Sequence, residues 1–393
     1  MVAPLESLRV LDFSTLLPGP FAGMILADLG ADVIRVESPR QPDWVRYQPP
    51  LVGENSMGHA VLNRSKRSLA LDLKCPGAVD VVLRLVQTYD IVLEGFRPGV
   101  MDRLGAGYAA LSAANPSVIY CALTGYGQTG PYRDRAGHDL NYVALSGSAS
   151  LSGRSASGPP PLGVQLADVG GGALFAVAGI LAAVVQRAAT GIGQFVDVAM
   201  LDGLVAWNAL AAGQYLATGV DRQPEDHWLN GGSLYDYYRT RDGRYLAIAG
   251  IEPKFWAGFC AAIARPDLID RGLDLDPAAV RALKAELTAI VAERTLAEWL
   301  EVCAPLDACV EPVLRMAEVL RHPQVEARGL LVDVPCADGV AQRQIGSPLK
   351  FSAAEPTYRH PGAALGAHTD EVLRAAGYGA EEIAALRAAG AVA

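Results

Sequence analysis

The chain contains 393 residues, of which 51% are hydrophobic and 19% charged, so it is long enough to form two or three domains around a sizeable buried core. This composition excludes a disordered protein and a short peptide module. The formal net charge is -9, which gives no electrostatic basis for general binding to nucleic acid or to an anionic membrane. Any anionic ligand therefore needs a local cluster of basic side chains.

The ends, the cysteines and the most apolar run favour a cytoplasmic protein with no membrane or metal partner. The first residues include charges and lack the long apolar segment of a signal peptide. The six cysteines are widely spaced without a C-x-x-C pair, which favours reduced thiols and argues against zinc. One run of 17 uncharged residues, 169–185, approaches the length of a membrane span, about 17 to 25 residues. Its three consecutive glycines favour a helix buried in a large core instead.

The first 125 residues alternate short apolar runs with amphipathic stretches, which predicts an α/β domain with an open parallel sheet. The predicted strands are 8–13, 32–36, 68–73, 90–93 and 117–123, and the predicted helices are 20–29, 77–88 and 101–114. A loop rich in Gly, Ser and Pro at 146–161 interrupts this pattern. After it come the apolar helix, a strand at 194–198 and a helix at 200–218.

The remaining sequence predicts a smaller domain and a returning tail. Residues 234–240 and 244–250 form a predicted hairpin, because Asp242-Gly243 joins them. We expect a large domain at 1–227, a small domain at 228–330 and a C-terminal segment at 331–393 that completes the large domain. The helix pair at the end of this segment is too small to bury its own apolar face alone.

A glycine motif at Gly125–Gly130 matches G-x-G-x-x-G after a predicted strand, the pattern of a dinucleotide site. That site requires a helix to begin immediately after the strand, so that its N-terminus receives the pyrophosphate. Here Pro131 and a charged stretch follow instead. The sequence therefore argues against a nicotinamide-dependent dehydrogenase.

His138 and Asp168 are the candidate proton-transfer residues. Taken singly, a histidine before a helix and an aspartate before a glycine run are most often caps or surface groups. Taken together, they place two groups of different acid/base chemistry at helix starts, where free backbone N–H groups can stabilise negative charge. This combination suits the chemistry of an enolate.

Eight segments, in this order and spacing, resemble the class III CoA-transferase (CaiB/BaiF) family and, within it, the alpha-methylacyl-CoA racemases. They are 16–20, 30–37, 66–74, 94–99, 125–131, 137–142, the glycine run after Asp168, and 250–253. The resemblance spans almost the whole chain. It implies an interlocked homodimer, in which each chain has a large Rossmann-like domain and a smaller α+β domain and the active site lies between subunits.

The resemblance also implies roles for the candidate residues. In the transferases the aspartate matching Asp168 is a nucleophile, whereas in the racemases it is the acid/base partner of a histidine matching His138. Because histidine at this position is typical of the racemases, we expect interconversion of (2R)- and (2S)-2-methylacyl-CoA thioesters, with transfer of CoA through acyl-Asp168 as the alternative. Glu252 matches a family glutamate that holds the histidine, although an ordinary surface glutamate before Pro253 fits equally well.

Inversion at the α-carbon needs one group to remove a proton from one face and another to deliver a proton to the opposite face, and His138 and Asp168 meet this need. Backbone N–H groups at Asp139 are expected to stabilise the enolate oxygen. We expect no metal and no cofactor beyond the CoA part of the substrate. A CoA-ester-binding protein without catalytic activity remains a third interpretation.

The family resemblance implies contacts to CoA, and with Arg40 as a substitute contact there are thirteen candidate positions. These are Arg40, Leu71, Asp72, Leu73, Lys74, Gly95, Phe96, Arg97, Arg103, Gly137, Asp139, Asn141 and Tyr142. Ser38 departs from the pattern, because an arginine is expected there in the racemases, and Arg40 is the candidate substitute for a phosphate contact.

Overall fold

The computed structural model describes residues 3–52 and 55–393. The chain divides into two compact units, neither of which is a continuous segment. The first unit comprises Met1–Ser146, Leu162–Trp207 and Gln324–Ala393, and the second comprises Gly147–Pro161 and Asn208–Pro323. These boundaries differ from the expected 228 and 330, because the loop at 147–161 folds with the second unit and the second unit starts at Asn208.

Thirteen strands and sixteen α-helices make up the regular structure of the described residues. The strands are β1 (Arg9–Asp12), β2 (Asp32–Glu37), β3 (Leu51–Val52), β4 (Asn55–Ser56), β5 (Arg67–Ala70), β6 (Ile91–Glu94), β7 (Ile119–Thr124), β8 (Phe195–Ala199), β9 (Asp236–Arg239), β10 (Tyr245–Ile248), β11 (Val310–Pro312), β12 (Leu331–Pro335) and β13 (Ala341–Ile345). The helices are α1 (Pro18–Asp28), α2 (Met57–Leu62), α3 (Ala78–Leu85), α4 (Val100–Arg103), α5 (Tyr108–Ala114), α6 (Asp139–Leu145), α7 (Leu174–Thr190), α8 (Met200–Trp207), α9 (Ala209–Thr218), α10 (Pro253–Ala262), α11 (Pro277–Val291), α12 (Leu296–Cys303), α13 (Met316–Val319), α14 (Pro323–Ala327), α15 (Thr369–Ala375) and α16 (Ala380–Ala388).

The first unit contains a six-stranded parallel sheet in the order β5-β2-β1-β6-β7-β8, which is the Rossmann-like order and confirms the predicted α/β class. The central strands β6 and β7 are buried along their whole length, because helices cover both faces of the sheet. The order of strands reverses between β1 and β6. Loops at the carboxyl ends of these two strands therefore diverge and leave a crevice at this edge.

The C-terminal helices complete the core of the first unit. Val372, Leu373 and Leu386 of α15 and α16 are buried in the same apolar cluster as the sheet residues Leu11 and Val92. The tail also pairs with the chain after β5, through a backbone bridge between Leu71 and Val392 and a 2.8 Å hydrogen bond from Asp72 N to Ala391 O. The sheet edge at β5 is thus closed by residues from the far end of the sequence.

Two helices predicted as continuous are each broken in two. The predicted helix 101–114 becomes α4 and α5, because Gly105 adopts a φ of +83° and ends the first turn. The predicted helix 200–218 becomes α8 and α9, and Asn208 between them is where the chain passes into the second unit.

The apolar run at 169–185 forms the end of a wide π-type helix, Leu166–Ala173, followed by α7. Together, Leu166–Thr190 are long and apolar enough to cross a membrane by length and composition, and 44% of their most apolar window is buried inside the protein. The face of this segment that bears Leu174, Phe175 and Val185 is exposed. The expected core helix is therefore buried along only part of its surface.

The second unit is built on an antiparallel sheet in the order β11-β10-β9. The hairpin predicted at Asp242-Gly243 joins β9 and β10, and Gly243 has the positive φ of +76° that this tight turn requires. Buried aromatic side chains from α10 and α12, Trp256, Phe259 and Trp299, form its core against the sheet.

Candidate active site

Two cavities lie at the carboxyl edge of the parallel sheet, where the strand order reverses. The His138 cavity, of about 450 Å³, is lined by residues that follow β1, β6 and β7, together with His138 and Asp168. The Lys74 cavity, of about 530 Å³, is lined by residues that follow β1, β2, β5 and β6. Thr15 and Phe96 line both, so the two cavities adjoin.

His138 stands immediately before α6, as its N-cap in an extended conformation. Two side chains of α6 hold the peptide group between Gly137 and His138. The amide oxygen of Asn141 accepts a 3.0 Å hydrogen bond from His138 N, and the hydroxyl of Tyr142 donates a 2.7 Å hydrogen bond to Gly137 O. Burial and the neighbouring Tyr126 raise the pKa of Tyr142 to about 12, so this hydroxyl remains a donor at neutral pH.

Asp168 lies in the π-type helix, a wide turn that often marks functional sites. The glycines after it allow this turn to pack directly against α8. A Cβ atom added at Gly171 would come within 2.6 Å of Met200 O, and one added at Gly203 would overlap the carbonyl of Gly171. The glycine run is therefore needed for close contact between two backbones, which places Asp168 at the cavity wall.

The carboxylate of Asp139 connects the two candidate residues. Asp139 Oδ1 accepts hydrogen bonds from Ala167 N at 2.6 Å and from Asp168 N at 3.0 Å. Burial and the negative charge of Asp139 raise the pKa of Asp168 to about 6, while His138 acts in the opposite direction. Near neutral pH, Asp168 can therefore exist in both protonation states, as a residue that exchanges protons must.

The predicted contact residues separate into two groups. Arg40, Leu71, Asp72, Leu73 and Lys74 line the Lys74 cavity; Gly95, Arg97, Gly137, Asn141 and Tyr142 line the His138 cavity; and Phe96 lines both. Ser38 and Arg40 lie side by side in the Lys74 cavity, where Arg40 is 3.6 Å from the carboxylate of Asp72. The basic residues therefore lie around the crevice rather than on one strand.

Three predicted residues lie elsewhere. Arg103 is exposed on α4 and lines neither cavity. Asp139 lines neither cavity, because its carboxylate is turned towards the backbone of Ala167 and Asp168. Glu252 belongs to the second unit, where it precedes α10 with an exposed side chain.

Sequence reasoning missed several cavity residues. Thr15, Tyr126, Arg133, Arg135 and Met200 line the His138 cavity. Thr15 was open to prediction, because it follows β1 at the carboxyl edge of the sheet. The two arginines lie in the charged stretch after the glycine motif, and only the fold brings this stretch to the cavity.

A buried ionic network supports the loop after β1. Lys66 Nζ is 2.9 Å from Asp12 Oδ2, and Asp12 Oδ1 accepts a 3.0 Å hydrogen bond from Ser14 N. Asp43 accepts a 2.9 Å hydrogen bond from Leu16 N and pairs with the fully buried Arg35. Leu16 has a φ of +64°, a conformation unfavourable for a leucine, so these contacts hold the loop against its local preference.

No group of three or more potential metal ligands is found within residues 3–52 and 55–393. The side chains that meet in the His138 cavity are an imidazole, a carboxylate and guanidinium groups. This set is suited to proton transfer on an anionic, carbonyl-containing ligand.

Comparisons with known proteins agree with this geometry. Residues 5–369 match the model of CoA-transferase family III. The chain is 37% identical to the alpha-methylacyl-CoA racemase of Mus musculus, over 97% of this chain and 96% of that protein. It is 35% identical to the succinate–glutarate CoA-transferase of Agrobacterium fabrum, over 94% of this chain and 95% of that protein. A crystal structure of a CaiB/BaiF family protein from Brucella suis superposes with a TM-score of 0.83 at 32% identity, covering 96% of this chain and all of that one. The chain therefore belongs to CoA-transferase family III.

Proposed function

We propose that this protein is a racemase that interconverts (2R)- and (2S)-2-methylacyl-CoA thioesters by proton transfer between two bases. The observation that carries the proposal is the meeting of His138 and Asp168 in one cavity, with the pKa of Asp168 raised to about 6. A carboxylic acid of this strength donates a proton more readily near neutral pH than an ordinary, fully ionised aspartate does. The raised pKa thus favours acid/base catalysis over nucleophilic attack.

In the proposed reaction, the neutral imidazole of His138 removes the α-proton of one epimer, and the C–H electron pair moves into the thioester carbonyl to form an enolate. Protonated Asp168 then delivers its proton to the opposite face of the α-carbon and becomes a carboxylate. The reverse reaction exchanges these roles, with Asp168 as base and imidazolium as acid. The first backbone N–H groups of α6, which have no partner within the helix, are proposed to stabilise the enolate oxygen.

The CoA portion is proposed to run from the Lys74 cavity to the His138 cavity. Lys74 and Arg40 supply positive charge for phosphate groups in the first cavity, and Arg97 supplies it in the second. The shared residues Thr15 and Phe96 mark the passage for the pantetheine arm. No further cofactor is proposed, because deprotonation next to a thioester needs only a base and oxyanion stabilisation.

We also propose that the protein acts as a homodimer. Several large apolar side chains of the first unit are exposed in the single chain, among them Leu174, Phe175, Val185, Val205 and Trp207. An apolar surface of this kind on α7 and α8 is typical of an interface between protein chains. Glu252 is proposed to orient His138 in the assembled enzyme, as the family resemblance implies.

The second candidate function is CoA transfer between carboxylic acids. It is favoured by the accessibility of the Asp168 carboxylate from the cavity and by the relative named a succinate–glutarate CoA-transferase. In that reaction, a carboxylate oxygen of Asp168 would attack the thioester carbonyl and expel CoA as a thiolate, leaving a mixed anhydride. His138 would then have no covalent or proton-transfer role.

The test is NMR of a (2R)-2-methylacyl-CoA incubated with the enzyme in deuterated buffer, alongside a sample that also contains a free carboxylic acid. A racemase incorporates deuterium at the α-carbon and epimerises it without forming a new thioester. We expect His138→Ala and Asp168→Asn each to lower the exchange rate at least about 100-fold. Asp333→Asn, the same change at an exposed residue of β12, should leave it unchanged. A new thioester without α-exchange, or full exchange by the His138 variant, would refute the proposal.

A further inference from the structure

The His138 cavity carries more positive charge than the thioester chemistry requires. Arg97, Arg133 and Arg135 line it together with His138, whereas Asp168 is the one carboxylate among its lining residues in the described chain. This local excess is opposite in sign to the net charge of -9. Since Arg97 is assigned to the CoA portion, Arg133 and Arg135 remain without a function.

Arg135 stacks on the last of three aromatic rings that pack in series. Its guanidinium carbon lies 3.9 Å from the centroid of the Tyr132 ring. Tyr132 packs edge-on against Tyr126 at 5.5 Å between centroids, and Tyr126 packs against Tyr142 at 5.0 Å. Tyr142 is itself fixed by its hydrogen bond to Gly137, next to His138. Consecutive contacts through three tyrosine rings thus connect Arg135 to the backbone beside the catalytic histidine.

The hydrogen-bonding edge of this guanidinium is free. Within the part of the chain that the structure describes, the side chain of Arg135 forms no ion pair and no hydrogen bond, and it stacks on the Tyr132 ring. Arg133 pairs only with its neighbour Asp134, at 3.7 Å, and Asp134 is 78% exposed. Stacking on a ring face leaves the five N–H donors of an arginine pointing outward in the plane, where a carboxylate can accept two of them.

We infer that Arg135, with Arg133, binds a carboxylate at the distal end of the acyl group, so that the preferred substrates are CoA thioesters of dicarboxylic acids. This inference rests on the proposed function in placing the thioester between His138 and Asp168. An acyl chain that leaves that point occupies the same cavity that the two arginines line. An apolar methyl terminus offers no hydrogen-bond acceptor to a guanidinium, whereas a carboxylate can pair with the otherwise unpaired Arg135.

The anionic group that these arginines bind has two conceivable sources, the acyl carboxylate or a phosphate of CoA, and matched thioesters distinguish them. The probes are 2-methylsuccinyl-CoA and 2-methylglutaryl-CoA, both esterified at C1. Each is compared with the thioester in which a methyl group replaces the distal carboxylate, 2-methylbutyryl-CoA or 2-methylpentanoyl-CoA. Affinity is measured by calorimetry on the intact protein, and turnover by α-deuterium exchange.

For Arg135→Gln, we expect the affinity for at least one carboxylated thioester to fall about tenfold, and the affinity for its methyl counterpart to change less than about twofold. Arg135→Lys, which keeps the charge but loses the planar fork, should recover part of the affinity. Arg343→Gln removes an exposed arginine of β13 and is the matched control, expected to change neither. Equal weakening of both members of a pair would assign Arg135 to a CoA phosphate and overturn the inference.

The wild-type protein gives a test that needs no variant. It should bind a carboxylated thioester more tightly than its methyl counterpart, and added salt should reduce this difference. The absence of any preference would also overturn the inference. Because affinity and α-exchange are measured separately, a preference for the carboxylated thioester without α-exchange would refute the proposed racemase and leave the arginine site intact. α-Exchange without a preference for the carboxylated thioester would support the proposed racemase and refute the arginine site.

Discussion

Asp139 Oδ1 accepts a hydrogen bond from the backbone N–H of Asp168, with 3.0 Å between the two atoms. Asp139 is the residue after His138 and the first residue of α6, so this contact ties the helix start beside the histidine to the wide turn that carries the aspartate. The same carboxylate raises the pKa of Asp168 through its negative charge. Burial is the larger cause of the raised pKa of Asp168, and Asp139 adds to it while also holding the backbone of Asp168 in place.

Replacing Asp139 by Asn should separate these two effects. The amide oxygen can still accept a backbone hydrogen bond, but the negative charge is lost, so we expect the pKa of Asp168 to fall below about 6. The epimerisation direction that needs protonated Asp168 should then lose activity at a lower pH than in the wild-type protein. The measurement is the pH dependence of kcat/KM for α-proton exchange. An unchanged profile would contradict this account, and Asp307→Asn at an exposed position is the control.

Tyr142→Phe tests the support of His138. The change removes the hydroxyl that donates to Gly137 O but retains the ring against Tyr126. We expect a stability loss of about 1 kcal/mol and, because the imidazole is less well positioned, a fall in kcat of about tenfold. Steady-state kinetics and urea unfolding measure the two effects. Tyr215→Phe, at an exposed tyrosine of α9, should change neither; a Tyr142 variant with full kcat would remove the positioning role.

We expect substitution by alanine to have opposite effects on stability at two glycines in consecutive helices. A methyl group at Gly203 in α8 would overlap the backbone of Gly171, whereas one at Gly213 in α9 meets no atom within 4 Å. Gly203→Ala should therefore destabilise the protein by at least about 2 kcal/mol and displace the turn that carries Asp168. Gly213→Ala should be neutral or stabilise it by about 0.5 to 1 kcal/mol. Similar unfolding midpoints for the two variants would show that the close approach is unimportant.

The lowered pKa of Glu37 leads us to expect that the folded protein loses stability at acidic pH. Burial by itself would raise the pKa of Glu37, but hydrogen bonds from Arg46 and the charges of Arg35 and Arg46 lower it to about 2. Because the folded-state pKa lies below the usual 4.5, the ionised carboxylate stabilises the fold above pH 4.5, and this contribution is lost as pH falls towards 2. The contribution is on the order of 3 kcal/mol.

Glu37→Gln tests this pH dependence. The variant should be less stable at neutral pH, because two buried or partly buried arginines lose a partner, and its stability should fall less steeply between pH 5 and 3. Urea unfolding at several pH values measures the slope. Parallel curves for the variant and the wild-type protein would assign the acid sensitivity to other carboxylates.

The parallel sheet could be predicted from the sequence because its strands are buried on both faces and appear as continuous apolar runs. Strand 8–13 was expected and β1 spans Arg9–Asp12; strand 32–36 was expected and β2 spans Asp32–Glu37. The break between α4 and α5 was visible in principle at Gly105 and Gly107. A helical pattern of apolar residues continues across it, so periodicity alone joined the two helices.

The membership of the loop at 147–161 could not be predicted, since it depends on contacts between distant residues. Arg154 forms a bidentate pair with Asp236, at 2.6 Å for each contact, and a 3.0 Å contact with Glu225. Sequence composition shows only a flexible loop there. Asp139 was expected to contact CoA. Its carboxylate instead accepts hydrogen bonds from the π-type turn 28 and 29 residues later, a contact between distant residues that the sequence does not show.

Because the two units are interleaved along the chain, synthesis completes the second unit before the first. The sheet of the first unit acquires its last strand, β8, before most of the second unit has been synthesised, but α15 and α16, which close its β5 edge, follow the whole second unit in the chain. On the ribosome, the first unit must wait with the β5 edge of its sheet uncovered while the second unit is synthesised. Truncation within the last 25 residues should consequently expose the β5 edge and cause aggregation of nascent chains, although it removes no residue of either cavity.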